Sequence, residues 1–94
     1  MDKRRKQVDE DSERALRAQF FADIDAGKLS LADAVKRMRR ISRLTQPEFA
    51  RHRKISVGAL KQIEAGVGNP KIETLNKLAE IFGLEIGFVR KKSR

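Results

Sequence analysis

Lys61 and Gln62 are adjacent polar side chains in a run of mostly small and apolar residues, Ser56-Val-Gly-Ala-Leu-Lys-Gln-Ile-Glu-Ala65. A glutamine amide can pair with the N6 and N7 edge of adenine in duplex DNA. A lysine ammonium can donate to O6 and N7 of guanine or to a phosphate. Val57 offers a surface suited to a thymine methyl group, and Gly58 and Ala59 add little bulk, which permits close approach. Val57, Gly58, Lys61 and Gln62 are therefore candidate base-contacting residues. To act together they must share one side of a rigid rod. Leu60 and Ile63 lie three apart, and at about 100° per residue a helix that buries both turns Gly58, Lys61 and Gln62 outward. An ordinary solvated helix face would also carry a lysine and a glutamine, so the surroundings must decide.

The distribution of charge favours a polyanion. The net charge is +9, and residues 36–63 hold nine basic side chains against the single acid Glu48. Residues 1–35 are close to neutral, and residues 64–94 carry a small excess. A basic excess confined to the window with the candidate rod fits a nucleic-acid surface better than a generally solvated one. Ninety-four residues with 39% apolar and 5% aromatic content make one small helical domain without room for a deep cofactor cavity. With no cysteine and one histidine, His52, a zinc centre is not expected, and no cofactor or metal is. No paired acids in a protected setting and no glycine-rich phosphate loop are present, so no catalysis and no small-molecule substrate are expected. The absence of a long apolar run and of a signal-peptide core points away from a membrane, to a cytoplasmic chain of bacterial or phage-like, nucleoid-associated type.

Four zones position the rod. Residues 1–8, with Lys3-Arg4-Arg5-Lys6, read as a flexible basic arm. Residues 9–29 read as an N-terminal helix and linker. Acids crowd its start, Leu16, Phe20 and Ile24 form a stripe widened by Phe21, and Gly27 ends the helix near residue 26. Residues 30–83 hold the remaining helices. Ser30 and Asp33 open the first, with Leu31, Val35 and Met38 as its core face. Thr45-Gln-Pro-Glu48 is a capping box for a short helix that turns Phe49 and Ala50 inward and ends near Arg53. Ser56 caps the rod, which stops at Gly66. A last helix from Lys71 to Phe82 places Ile72, Leu75, Leu78, Ala79 and Phe82 inside. Residues 84–94 are a C-terminal strand and basic tail. Leu84, Ile86 and Phe88 alternate with other residues, and a lone strand needs a partner. The same segment of a second copy supplies one, which makes Leu84, Ile86 and Phe88 candidate dimerisation residues and the chain a homodimer. Otherwise the three side chains would tuck beneath the bundle.

Residues 31–83 resemble the lambda-repressor-like helix-turn-helix family, also called the Cro/repressor or XRE type. The resemblance is carried by Leu44-Thr-Gln46, Phe49-Ala50, Ile55-Ser56, the Leu60-x-x-Ile-Glu-x-Gly66 pattern, Asn69-Pro70 and Glu73-Thr-Leu-x-Lys-Leu-Ala79. It implies an all-α bundle of about five short helices, with residues 46–53 as supporting helix and 56–65 as recognition helix. An extra N-terminal helix and a short C-terminal β-strand would be added to it. It also implies that Gln46 touches phosphate or braces the recognition helix, and that Arg39 and Glu64 form a structural pair. Arg43, Arg51, Lys54, Asn69 and Lys71 lie near loop ends that flank the DNA backbone. With Gln46 and the helix start at Ser56 they form the candidate phosphate-contacting set. Two turns depart from the family, because glycine is usual where Arg43 and Lys54 stand. Both places call for a left-handed backbone, which costs a non-glycine residue about 1 kcal/mol. Arg53 replaces a usual core leucine.

The function expected from this reading is a sequence-specific transcriptional regulator of repressor type on a palindromic operator. The alternative is an antitoxin, similar to the HipB type, that represses its own promoter and binds a toxin protein. A nonspecific nucleic-acid module, an enzyme and a pure protein-interaction domain fit the sequence less well. Single-strand readers in particular stack bases on aromatic residues that are scarce here.

Overall fold

A computed structural model describes residues 3–91, with side chains from residue 10 onward. Its five helices are α1 (Lys3–Asp25), α2 (Leu31–Ser42), α3 (Gln46–Arg53), α4 (Val57–Ala65) and α5 (Ile72–Glu80). Local chemistry explains most of the boundaries. Thr45 Oγ1 accepts from the Glu48 backbone N–H at 3.3 Å, and the Glu48 carboxylate accepts from the Thr45 N–H at 2.9 Å. Those bonds, the backbone one foremost, hold the Glu48 carboxyl below the usual range. Ser30 and Ser56 accept from the N–H groups of Asp33 and Ala59 at 3.1 and 3.0 Å. Helix α5 is preceded by Lys71, whose side chain makes no capping hydrogen bond.

The turns after α2 and α3 take the left-handed backbone despite their residues. Arg43 has φ 59° and Lys54 has φ 60°, and each donates its N–H back into the helix it ends. Both places bring a cation to a helix C-terminus, where the macrodipole favours it.

The core forms where α1, α3 and α4 pack around α2, with Leu78 of α5 and Phe82 just beyond it closing the remaining side. Phe20, Val35, Phe49, Leu60 and Leu78 are its largest fully buried side chains. Phe20 meets Phe82 edge-on, with ring centroids 5.5 Å apart, and Phe21 meets Phe20 in the same manner at 5.3 Å. These rings fasten α1 to the turn that follows α5. The Arg37 guanidinium donates to Asp23 at 2.9 Å and ties α1 to α2. That hydrogen bond, with a second from Gln19, holds the Asp23 carboxyl below its ordinary value. Arg53, at its core-facing position, is buried. Its guanidinium stacks 4.4 Å from the Phe49 ring centroid and donates to Ser42 Oγ at 3.4 Å, while its Nε has no hydrogen-bond partner.

Several expectations need correction. No strand exists among the described residues, so the predicted C-terminal β-strand is absent. The reason lies in hydrogen bonding. The Leu84 N–H closes the end of α5 by donating to the Ala79 carbonyl at 3.0 Å, after Gly83 turns left-handed. Beyond it, no second extended segment among the described residues lies alongside to pair with. Leu84 packs half-buried against its own core, whereas Ile86, Phe88 and Val89 are exposed. Helix α1 begins at Lys3, so residues 3–8 continue a helix expected to start at residue 9. Residues 1–2 of the expected arm and 92–94 of the basic tail lie outside the described residues. Leu16, Leu31 and Ile72, assigned inward by periodicity, are exposed. Periodicity marks an apolar face of a helix and does not say how much of that face a neighbour covers.

Candidate nucleic-acid interface

Helix α4 is a short rod with two unlike sides. Leu60, Ile63 and Glu64 are buried, and Gly58, Lys61 and Gln62 are exposed. Val57 is half-buried and leans on the core, so only part of it faces outward. A β-carbon added at Gly58 would meet nothing within 4 Å, which leaves this position open to a close neighbour.

The rod is held from behind by a polar network that spans three helices. Arg39 on α2 makes a two-pronged contact with Glu64 on α4, Nε to Oε2 at 2.8 Å and Nη2 to Oε1 at 3.1 Å. A third donor, Nη1, reaches the Leu44 carbonyl at 3.3 Å in the turn that leads to α3. Gln46, at the start of α3, donates its amide to Glu64 Oε1 at 3.0 Å. Burial alone would push the Glu64 carboxyl up. The hydrogen bonds from Arg39 and Gln46, with the Arg39 charge, outweigh it and hold Glu64 below its ordinary value. The fixed fork of a guanidinium makes this pair directional as well as strong. Gln46 is half-buried in this network.

Beside the outward side of α4, the chain gathers Lys54, Ser56, Asn69 and Lys71 around one open concavity of about 300 Å³. Thr74 and Lys77 of α5 line it too, as does Gln62. Lys77 Nζ donates to the Lys54 carbonyl at 3.2 Å, which joins α5 to the turn before α4. The concavity thus unites three cations, a hydroxyl-capped helix start and three further polar side chains, Gln62, Asn69 and Thr74. That composition suits phosphate oxygens. Arg43 and Arg51 are exposed and do not line it. Arg43 donates to Glu13 of α1 at 2.8 Å.

A helix-turn-helix domain model matches residues 32–87. The chain belongs to that family, and it carries a helix-turn-helix DNA-binding domain. No curated protein and no solved structure matches it. The matched residues include nearly all of α2 and the whole of α3, α4 and α5. Helix α1 lies N-terminal to the matched residues, although Phe20 is fully buried in the same core.

Two participants in the helix-turn-helix surface escaped sequence reasoning. Thr74 and Lys77 stand three apart on α5, and with Lys71 they make a polar row beside the apolar one of Leu75 and Leu78. That spacing is visible in the sequence. Its placement against the turn before α4 is not, because it depends on how α5 crosses α4. The Glu13–Arg43 pair joins residues thirty positions apart and has no local signature. No group of His, Cys, Asp and Glu able to hold a metal occurs among the described residues, and no described helix is long and apolar enough to cross a membrane.

Proposed function

We propose that this protein is a sequence-specific regulator of transcription that works without catalysis, in the cytoplasm, as a repressor. It lays α4 in the major groove of duplex DNA. Lys61 and Gln62 read base edges, with Gly58 and part of Val57 allowing close approach. Lys54, Ser56, Asn69 and Lys71 seat one stretch of phosphate backbone, with Arg43, Arg51 and Gln46 as further backbone contacts. The observation that carries the reading is the exposure of Lys61 and Gln62 on the side of α4 opposite buried Leu60 and Ile63, beside a cation-lined concavity. Phosphate contacts would supply most of the affinity and α4 the discrimination.

A homodimer on a palindromic operator completes the proposal, with half-sites about one helical turn apart. In its favour are Phe88 and Val89, whose side chains are almost wholly exposed at the end of the described chain. The same uncovered residues favour a second reading, an antitoxin that binds a toxin protein and represses its own promoter. Replacing Phe88 and Val89 by serine separates the possibilities. Loss of dimers in sedimentation supports self-association, and loss only of a co-purifying protein supports the antitoxin.

The central test is a binding titration of duplexes recovered from a random pool. Lys61→Ala or Gln62→Ala should leave the helical content intact and cost about 1–3 kcal/mol of preference at particular base pairs. Variants that keep the full preference at every position would remove α4 as the reading element.

A further inference from the structure

Gln62 is exposed, yet its side chain does not project freely into solvent. The chain leaves α4 through a left-handed turn at Gly66, and the Val67 N–H donates to the Gln62 carbonyl at 3.0 Å. The next residue, Gly68, therefore lies over the last turn of the helix. A β-carbon on Gly68 would stand 2.7 Å from Gln62 Oε1 and 3.2 Å from its Cδ. Real β-carbons do not approach so closely. The atoms in the way are the far end of a flexible, exposed side chain, so a β-carbon here would turn the Gln62 amide aside rather than disrupt the loop.

We infer that Gly68 is a positioning residue for base recognition, its bare α-carbon being the seat that fixes the direction of the Gln62 amide. The inference rests on the proposed reading of DNA by α4. A two-point pairing with adenine requires the amide to arrive in one orientation, and a seated side chain loses less freedom on binding than a loose one. The seat also links two kinds of contact. Asn69, the next residue in the loop, lines the concavity assigned to phosphate. Anchoring the loop on the DNA backbone thereby sets where Gln62 points. Gly68 has φ 80°, so a left-handed backbone is a second reason for glycine at this place. Asparagine tolerates that backbone but carries a β-carbon, so it separates conformation from bulk.

The test uses the full chain and compares Gly68→Ala, Gly68→Asn, Gln62→Ala and the double variant Gly68→Asn/Gln62→Ala. The probes are the duplex selected by the wild-type chain, its single base-pair substitutions and a scrambled duplex. Melting followed by circular dichroism identifies folded variants, and Gly68→Asn decides the matter if Gly68→Ala is too strained to fold. Gly68→Asn should lose about tenfold discrimination, at the same base pairs that Gln62→Ala degrades. Its affinity for the scrambled duplex should stay within about twofold of wild type, since the phosphate contacts remain. In the double variant the glycine change should add no further loss. Full discrimination by Gly68→Asn overturns the inference, as does an undiminished effect in the Gln62→Ala background. A wild-type chain that shows no sequence preference refutes the DNA reading itself, before any variant is made, and the seat with it.

Discussion

At the residue scale, Glu64 decides how firmly α4 is presented. It is a carboxylate buried at the back of the rod and satisfied by donors from two other helices, Arg39 on α2 and Gln46 on α3. Removing Arg39 leaves an unpaired charge in a buried place, and Arg39→Ala should cost about 3 kcal/mol in chemical denaturation. Glu64→Gln should cost less, because a neutral amide is cheaper to bury. The double variant should be more stable than Arg39→Ala alone, since it removes the orphaned charge. If the double variant is instead the least stable of the three, the pair is not acting through charge burial. The same carboxylate gives a pH signature. Its folded value is depressed, so its contribution is whole above the ordinary glutamate value and is lost as pH falls through the lower folded value. Wild type should weaken over that acidic window, and Glu64→Gln should show a shallower loss there.

At the element scale, much was legible from the sequence and some was not, for identifiable reasons. The caps at Ser30, Thr45 and Ser56 are local chemistry and mark starts that the structure keeps to the residue. Leu60 and Ile63, three apart, settle which side of α4 is outward. Periodicity alone could not tell that Leu31 and Ile72 stand uncovered, because it reports a face and not its neighbour. The alternation over 84–89 suggested a strand, but the hydrogen-bonding partner such a strand needs is not encoded in the alternation. The turns illustrate a compromise that can be measured. Lys54 adopts a left-handed backbone that glycine would take without strain, while its side chain lines the cation-rich concavity. Lys54→Gly should therefore raise stability by about 0.5–1 kcal/mol, and the Lys77 bond survives because it uses the Lys54 carbonyl. The same change should weaken binding to specific and scrambled duplexes alike and reduce the slope of log affinity against log salt by about one. A variant that gains stability but keeps the wild-type salt slope would place Lys54 off the DNA backbone.

At the scale of the whole molecule, the question is whether α1 is an appendage or part of the folding unit. The family match begins at residue 32, which would suggest an appendage. The packing argues the reverse. Phe20 is completely buried, meets Phe82 edge-on and sits in one cluster with Val35, Phe49, Leu60 and Leu78, and Asp23 accepts a bond from Arg37 of α2. Without α1, Phe82 in the turn after α5 would face water. Phe20→Ala should consequently cost about 3–5 kcal/mol and lower a single unfolding transition. The chain has no Trp or Tyr, so far-ultraviolet circular dichroism is the probe that follows it. If α1 were independent, the same substitution would split the transition in two, or melt part of the helical signal while the main midpoint held. Coupling of this kind would place α1, with Glu13 bonded to Arg43 beside the turn into α3, within the rigid body that presents α4. Phe20→Ala at a temperature where the variant remains folded should then leave base preference unchanged, because it loosens the support without touching the reading side chains.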